Sequence, residues 1–123
     1  MATSWQIDET DEFVLVRIVG NYDGMDRFAA GLEAIAAHCR TAQRWRVLID
    51  LTDMSDPVPP RDRFLLGKQA ARVWGRRIKV ALLAKPADIT HFFENVATND
   101  GANVRAFADR EEARVWLKAR ALA

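Results

Sequence analysis

Val47-Leu48-Ile49-Asp50-Leu51 and Val80-Ala81-Leu82-Leu83-Ala84 are two short runs that are almost wholly apolar. A strand with one wet face alternates apolar and polar side chains. A strand that is apolar at successive positions suits a parallel sheet covered by helices on both faces. Between the two runs, Pro60 to Gly75 reads as a helix. Proline fits its first turn, and Phe64, Ala71 and Trp74 are assigned to its inward face. Upstream, Phe13 to Gly20 is a β-branched strand, joined through the polar turn Asp8–Glu12 to a short edge strand, Trp5 to Asp8. A helix follows from Asp23, its expected N-cap, with Asp26 three residues on. Phe28, Leu32, Ile35 and Cys39 form its apolar stripe. Downstream, a third helix is expected from Ala87 to Asn99, packing Ile89, Phe92, Phe93 and Val96, with Gly101 at its C-terminal cap. Val104 to Phe107 is a last strand. Asp109 with Glu112 then caps a final helix that turns Ala113, Trp116 and Leu117 inward. The order is ββαβαβαβα, an α/β arrangement with a mixed sheet covered by helices.

The chain has 123 residues and weighs 13.9 kDa, the size of one domain spanning 1–123. Its 18 basic and 17 acidic residues nearly cancel, which argues against a dedicated nucleic-acid binder. The balance hides an uneven distribution: residues 39–85 hold 11 bases against 4 acids, between acidic flanks. No apolar run approaches a membrane span, and Met1–Thr10 lacks the apolar core of a secretory leader. A lone Cys39 can form neither an internal disulfide nor a Cys-rich zinc site, so a reducing, cytoplasmic setting is expected.

Three stretches carry a family resemblance: Arg46 to Leu51 entering a loop, Lys79 to Leu83, and Val104 to Asp109 running into Glu112-Ala113-Arg114-Val115-Trp116-Leu117. Over nearly the whole chain they resemble the SpoIIAA-like family, also described as STAS/SEC14-like, which is related to bacterial anti-sigma factor antagonists of the STAS type. The resemblance implies a bacterial, STAS-like regulatory or protein-binding module. Antagonists that work as phospho-switches present an Asp-Ser pair at the start of the second helix. Here Val58-Pro59 falls there, and Ser55 lies four residues earlier. A switch that adds negative charge at that helix terminus is therefore not expected.

Signals for catalysis are weak. His38 and Cys39 are adjacent on a helix, so their side chains diverge by roughly 100°. With only two histidines and no Cys cluster there is no zinc spacing, and there is no Gly-rich phosphate loop or GxSxG turn, so neither metal, cofactor nor enzymatic activity is expected. Asp50, at the end of a buried strand, is followed by Asp53 and Asp56. Either the three gather round a cation or hydroxyl, or Asp50 serves its own loop while the others are solvated.

The leading reading is a non-catalytic binding module. It works through the loop containing Asp50 and Ser55 and through a basic stripe, Arg61, Lys68, Arg72 and Arg76, that would steer an acidic protein partner. The alternative is a small carrier or sensor of a lipid or apolar metabolite, with Phe64, Trp74, Phe92 and Phe93 round a crevice. Trp5 and Trp45, at element edges, are candidates for a subunit contact, which leaves a homodimer open.

Overall fold

The computed structural model describes residues 3–56 and 58–119; Pro57, in the proline-rich loop before Pro60, lies outside them. Five strands, β1 (Ser4–Glu9), β2 (Val14–Val19), β3 (Arg46–Asp50), β4 (Lys79–Leu83) and β5 (Asn103–Phe107), form one mixed sheet in sequential order. β1 and β2 are an antiparallel hairpin in the register Trp5 opposite Ile18 and Ile7 opposite Val16. β2 to β5 run parallel, with Val47 beside Val80 and Val80 beside Val104. Thr10 closes the hairpin turn: its hydroxyl donates to the Phe13 carbonyl and accepts from the Phe13 amide.

Successive parallel strands that step the same way across a sheet, each by a right-handed crossover, must place their crossover helices on one face. α1 (Met25–Ala42), α2 (Pro60–Trp74) and α3 (Phe92–Asn99) do lie together there, with α2 packed between the other two. They enclose the larger core, in which Val16, Val47, Ile49 and Val80 meet Phe28, Leu32, Leu66 and Trp74. The opposite face belongs to one helix, α4 (Arg110–Lys118), whose Ala113 and Leu117 close over Leu48, Ala81 and Leu83. β3 is thus buried on both faces, which is why its sequence is apolar at successive positions.

The element order matches the expectation; strand ends shift by about one residue, and the larger differences lie at α1 and α3. α1 starts at Met25 behind Gly24, not at Asp23. The Asp23 carboxylate is engaged elsewhere, accepting from the Thr3 hydroxyl at 2.7 Å and the Thr3 amide at 3.3 Å. The Thr3 hydrogen bonds hold its carboxyl below the ordinary aspartate range. The expected helix from Ala87 is a short 3-10 turn, Pro86–Asp88, then a break, then α3. His91 adopts a left-handed conformation (φ 63°) that an uninterrupted helix cannot contain. At its other end α3 is capped by Asp100, with Gly101 following at φ 107°. Phe64, assigned inward, is 43% exposed, because α2 buries Leu66, Gly67, Ala70, Ala71 and Trp74 instead. Gly67 is needed at the α2–α3 contact: a Cβ there would meet the Val96 side chain at 3.0 Å and the Phe93 carbonyl at 3.1 Å.

Capping of α4 follows the sequence, with Asp109 accepting from the Glu112 amide at 2.9 Å. An ion-pair clamp adds to it. Arg114 and Lys118 both reach Glu12 in the hairpin turn, at 2.8 and 2.7 Å. These bonds, from Lys118 first and then Arg114, hold the Glu12 carboxyl below the ordinary glutamate range. The clamp therefore stabilises the fold at neutral pH and fades as pH falls through that lowered value.

Candidate functional site

Two regions of α2 concentrate the candidate residues, one on each side of the helix. The loop that leads into it is held at several points. Asp50 accepts from the Thr52 amide (2.9 Å) and hydroxyl (2.6 Å), and its other oxygen lies 3.6 Å from Arg110 at the start of α4. Asp53 pairs with Arg17 at 3.0 Å. The Ser55 amide donates to the Gly20 carbonyl (2.9 Å), and Lys85 donates to the Met54 carbonyl (2.9 Å). Asp50 and Asp53 are therefore engaged by different partners, and among the described residues no group of three His, Cys, Asp or Glu could hold a metal ion. Ser55 is exposed on this loop, before the first turn of α2. That turn is fixed by Pro60 and by Tyr22, which donates its hydroxyl to Asp62 at 2.7 Å.

The outer face of α2 carries Arg61, Phe64, Leu65, Lys68 and Arg72, all exposed, with Arg76 just beyond its end. Phe64 stacks on Phe92 of α3 with ring centres 6.5 Å apart and planes at 25°. Lys68 sits 5.6 Å above the Phe64 ring and 3.0 Å from Asp100. Arg61, Arg72 and Arg76 have no ion-pair partner among the described residues. The expected basic stripe is thus interleaved with two apolar side chains, Leu65 and Phe64, the second of them expected on the inward face. At about 100° per residue, Leu65 falls in the middle of the basic arc, a signal the sequence does carry.

On the inner side, α2 roofs a cavity of about 130 Å³ at the carboxyl ends of the parallel strands, where open α/β sheets place ligand crevices. Ile18, Ile49, Leu82 and Ala106 form its floor, and Phe28, Leu66, Trp74 and Phe93 its walls. Trp74 donates its indole N–H to the Leu32 carbonyl at 3.0 Å and meets Phe93 edge-on. The rim is polar. Arg63 of α2 donates to the Val58 carbonyl and to the Thr90 hydroxyl, both at 2.7 Å, clasping the starts of α2 and α3. His91 Nδ1 is 2.6 Å from Glu94. Of the four aromatic residues expected round a crevice, Trp74 and Phe93 line the cavity, whereas Phe64 and Phe92 stack outside it. The contact of Arg63 with Thr90 carries no sequence signal, because it depends on how α2 and α3 pack, whereas the His91–Glu94 contact is local, three residues apart at the start of α3.

The remaining candidates are structural. Cys39 lies in the core, where burial pushes its thiol up to about 11, far from a reactive thiolate. Trp5 packs edge-on against Phe28 and lies over Gly31, where a Cβ would come within 2.5 Å of the indole, so its ring is part of the core rim. The Trp45 ring is covered by the Arg77 guanidinium at 3.9 Å. No helix among the described residues is long and apolar enough to cross a membrane.

No protein-family model and no curated protein matches the chain. Solved structures do. The chain is similar to an anti-sigma factor antagonist from Mycobacterium paratuberculosis, with a TM-score of 0.64 and 12% identity over 95% of each chain. It is also similar to an uncharacterised protein of the DUF3478 family from Shewanella loihica PV-4, which has a SpoIIAA-like fold, with a TM-score of 0.54 and 17% identity over 94% of each chain. At such identities the likeness establishes the fold.

Proposed function

From this SpoIIAA-like fold, we propose that the protein is a non-catalytic binding module that docks an acidic protein surface on the outer face of α2. The observation that carries the reading is the juxtaposition of Leu65 and Phe64, stacked on Phe92 of α3, with Arg61, Lys68 and Arg72 on the outer face of α2. An apolar centre supplies the anchor that a partner buries, and the surrounding cations steer its approach and set its register. One similar structure is named as an antagonist of an anti-sigma factor, and only the general role of engaging a protein is carried over here. The groups that could do chemistry are committed elsewhere: Asp50 to its own loop, Asp53 to Arg17, Cys39 to the core. Docking on this reading needs no phosphorylation: the family resemblance implies that Val58-Pro59 falls where phospho-switching antagonists carry Asp-Ser.

The test is a double charge reversal, Lys68→Glu with Arg72→Glu, set against Arg105→Glu on the exposed opposite side of the sheet. Lys68 loses only a surface ion pair, typically worth about 0–1 kcal/mol, so the fold survives. Affinity capture from an extract of the source cells is expected to lose its specific partner with the α2 pair, by about tenfold or more, and to keep it with Arg105→Glu. Undiminished capture by the α2 pair would reduce the stripe to solvated surface.

A further inference from the structure

We infer that the cavity beneath α2 is a binding site for a small amine whose apolar body is about the size of one aromatic ring. This does not rest on the docking face, since Leu66 and Trp74 belong to the opposite side of the helix.

Size sets the first limit. An apolar cavity of about 150 Å³ is enough to stay dry and accept benzene, and the cavity here is about 130 Å³. It accepts a ring or a short branched chain, whereas the acyl chains of a phospholipid are several times too large. Its chemistry sets the second. The interior is aliphatic and aromatic throughout, and polar groups gather only at the rim, the distribution that orients a ligand by its head.

Charge at the rim sets the third. Asp56, Asp88 and Glu94 line it against a single guanidinium, Arg63. Arg63 donates to two neutral oxygens, the Val58 carbonyl and the Thr90 hydroxyl, and keeps its charge, while Glu94 holds the His91 ring. The three carboxylates still outnumber the one guanidinium, so the formal charge of the lining is negative. A ring carrying an ammonium on a short tether places the ring against Trp74 and Phe93 and the cation at the acidic rim.

The experiment titrates 2-phenylethylamine into the full chain, following tryptophan emission, since Trp5 and Trp74 both line the cavity, and the unfolding temperature. A saturable emission change with a rise in unfolding temperature is expected. The anion 3-phenylpropionate should bind at least about tenfold more weakly, and phosphatidylcholine vesicles should produce no change. Ala106→Leu on the floor should abolish the response while leaving the circular dichroism unchanged, with Ala84→Leu as the second filling variant if the first fails to fold. The proposal is overturned by no saturable response to the amine at millimolar concentration, by a response that persists in a folded filling variant, or by equal or tighter binding of the anion. A response to vesicles alone overturns it as well.

Discussion

Trp74→Ala is expected to cost about 3–5 kcal/mol, a large share of the ~5–15 kcal/mol that holds a domain of this kind together. Trp74 is 3% exposed at the last turn of α2, where it joins three elements. Its indole donates to the Leu32 carbonyl of α1, meets the Phe93 ring of α3, and forms one wall of the cavity over the sheet. Removing it enlarges a cavity that is already there, so the neighbours have little to collapse onto. Trp74→Phe separates the contributions. It keeps most of the ring and loses the hydrogen bond, for about 0.5–1.5 kcal/mol plus a smaller packing loss. Urea unfolding followed by circular dichroism should show the midpoint falling in the order wild type, Trp74→Phe, Trp74→Ala, with little change in slope. A loss below about 1 kcal/mol for Trp74→Ala would mean that α2 is not held by this residue.

Leu117→Ala should cost about 2–5 kcal/mol, because among the described residues α4 is the one helix packed on its face of the sheet. A nine-residue helix is marginal by itself. Ala113 and Leu117, both fully buried, supply its contact with Leu48, Ala81 and Leu83, and the ion pairs to Glu12 are solvent-screened. Lys79 donates to the carbonyls of Trp116 and Ala119 and so ties the end of the helix to β4. Amide hydrogen exchange in Leu117→Ala should therefore accelerate first in residues 110–118, before the parallel strands. Val115→Ala, at a side chain 57% exposed on the same helix, should stay within about 0.5 kcal/mol of wild type. Equal effects at the two positions would show that α4 is held by its charges instead of its buried stripe.

The layered fold was legible because burial on both faces leaves a direct mark on composition. β3 and β4 could be read as central strands from Val47–Leu51 and Val80–Ala84, and Asp109 with Glu112 announced the start of α4. What failed was the reading of helix rotation. Phe64 is a large apolar side chain within roughly 90° of the buried stripe of α2, and its hydrophobicity alone did not tell core from rim. Its partner, Phe92, was misplaced for the same reason, while the left-handed turn at His91 that positions it has no compositional signal. Half of the aromatic set assigned to a crevice, Trp74 and Phe93, does meet there. The cavity itself could not be read, because its walls come from all five strands and all three helices of that face, and its volume is what remains after they pack.

Both proposed activities use α2, whose inner side closes a cavity and whose outer side is free to dock. The hydrogen bonds of Arg63 and Tyr22 fix its first turn and those of Trp74 its last, so the outer face is presented on a rigid support. Such a support limits the entropy lost on binding.

The claim that this face meets a partner is tested most directly by site-specific photocrosslinking in the source cells. A benzophenone side chain replaces Leu65 in one variant and Val115 in another, both exposed and both on helices. The account predicts a discrete, saturable adduct from position 65, lost on adding Lys68→Glu and Arg72→Glu, and none from position 115. Adducts from position 115 alone, or the same adducts from both, would contradict it.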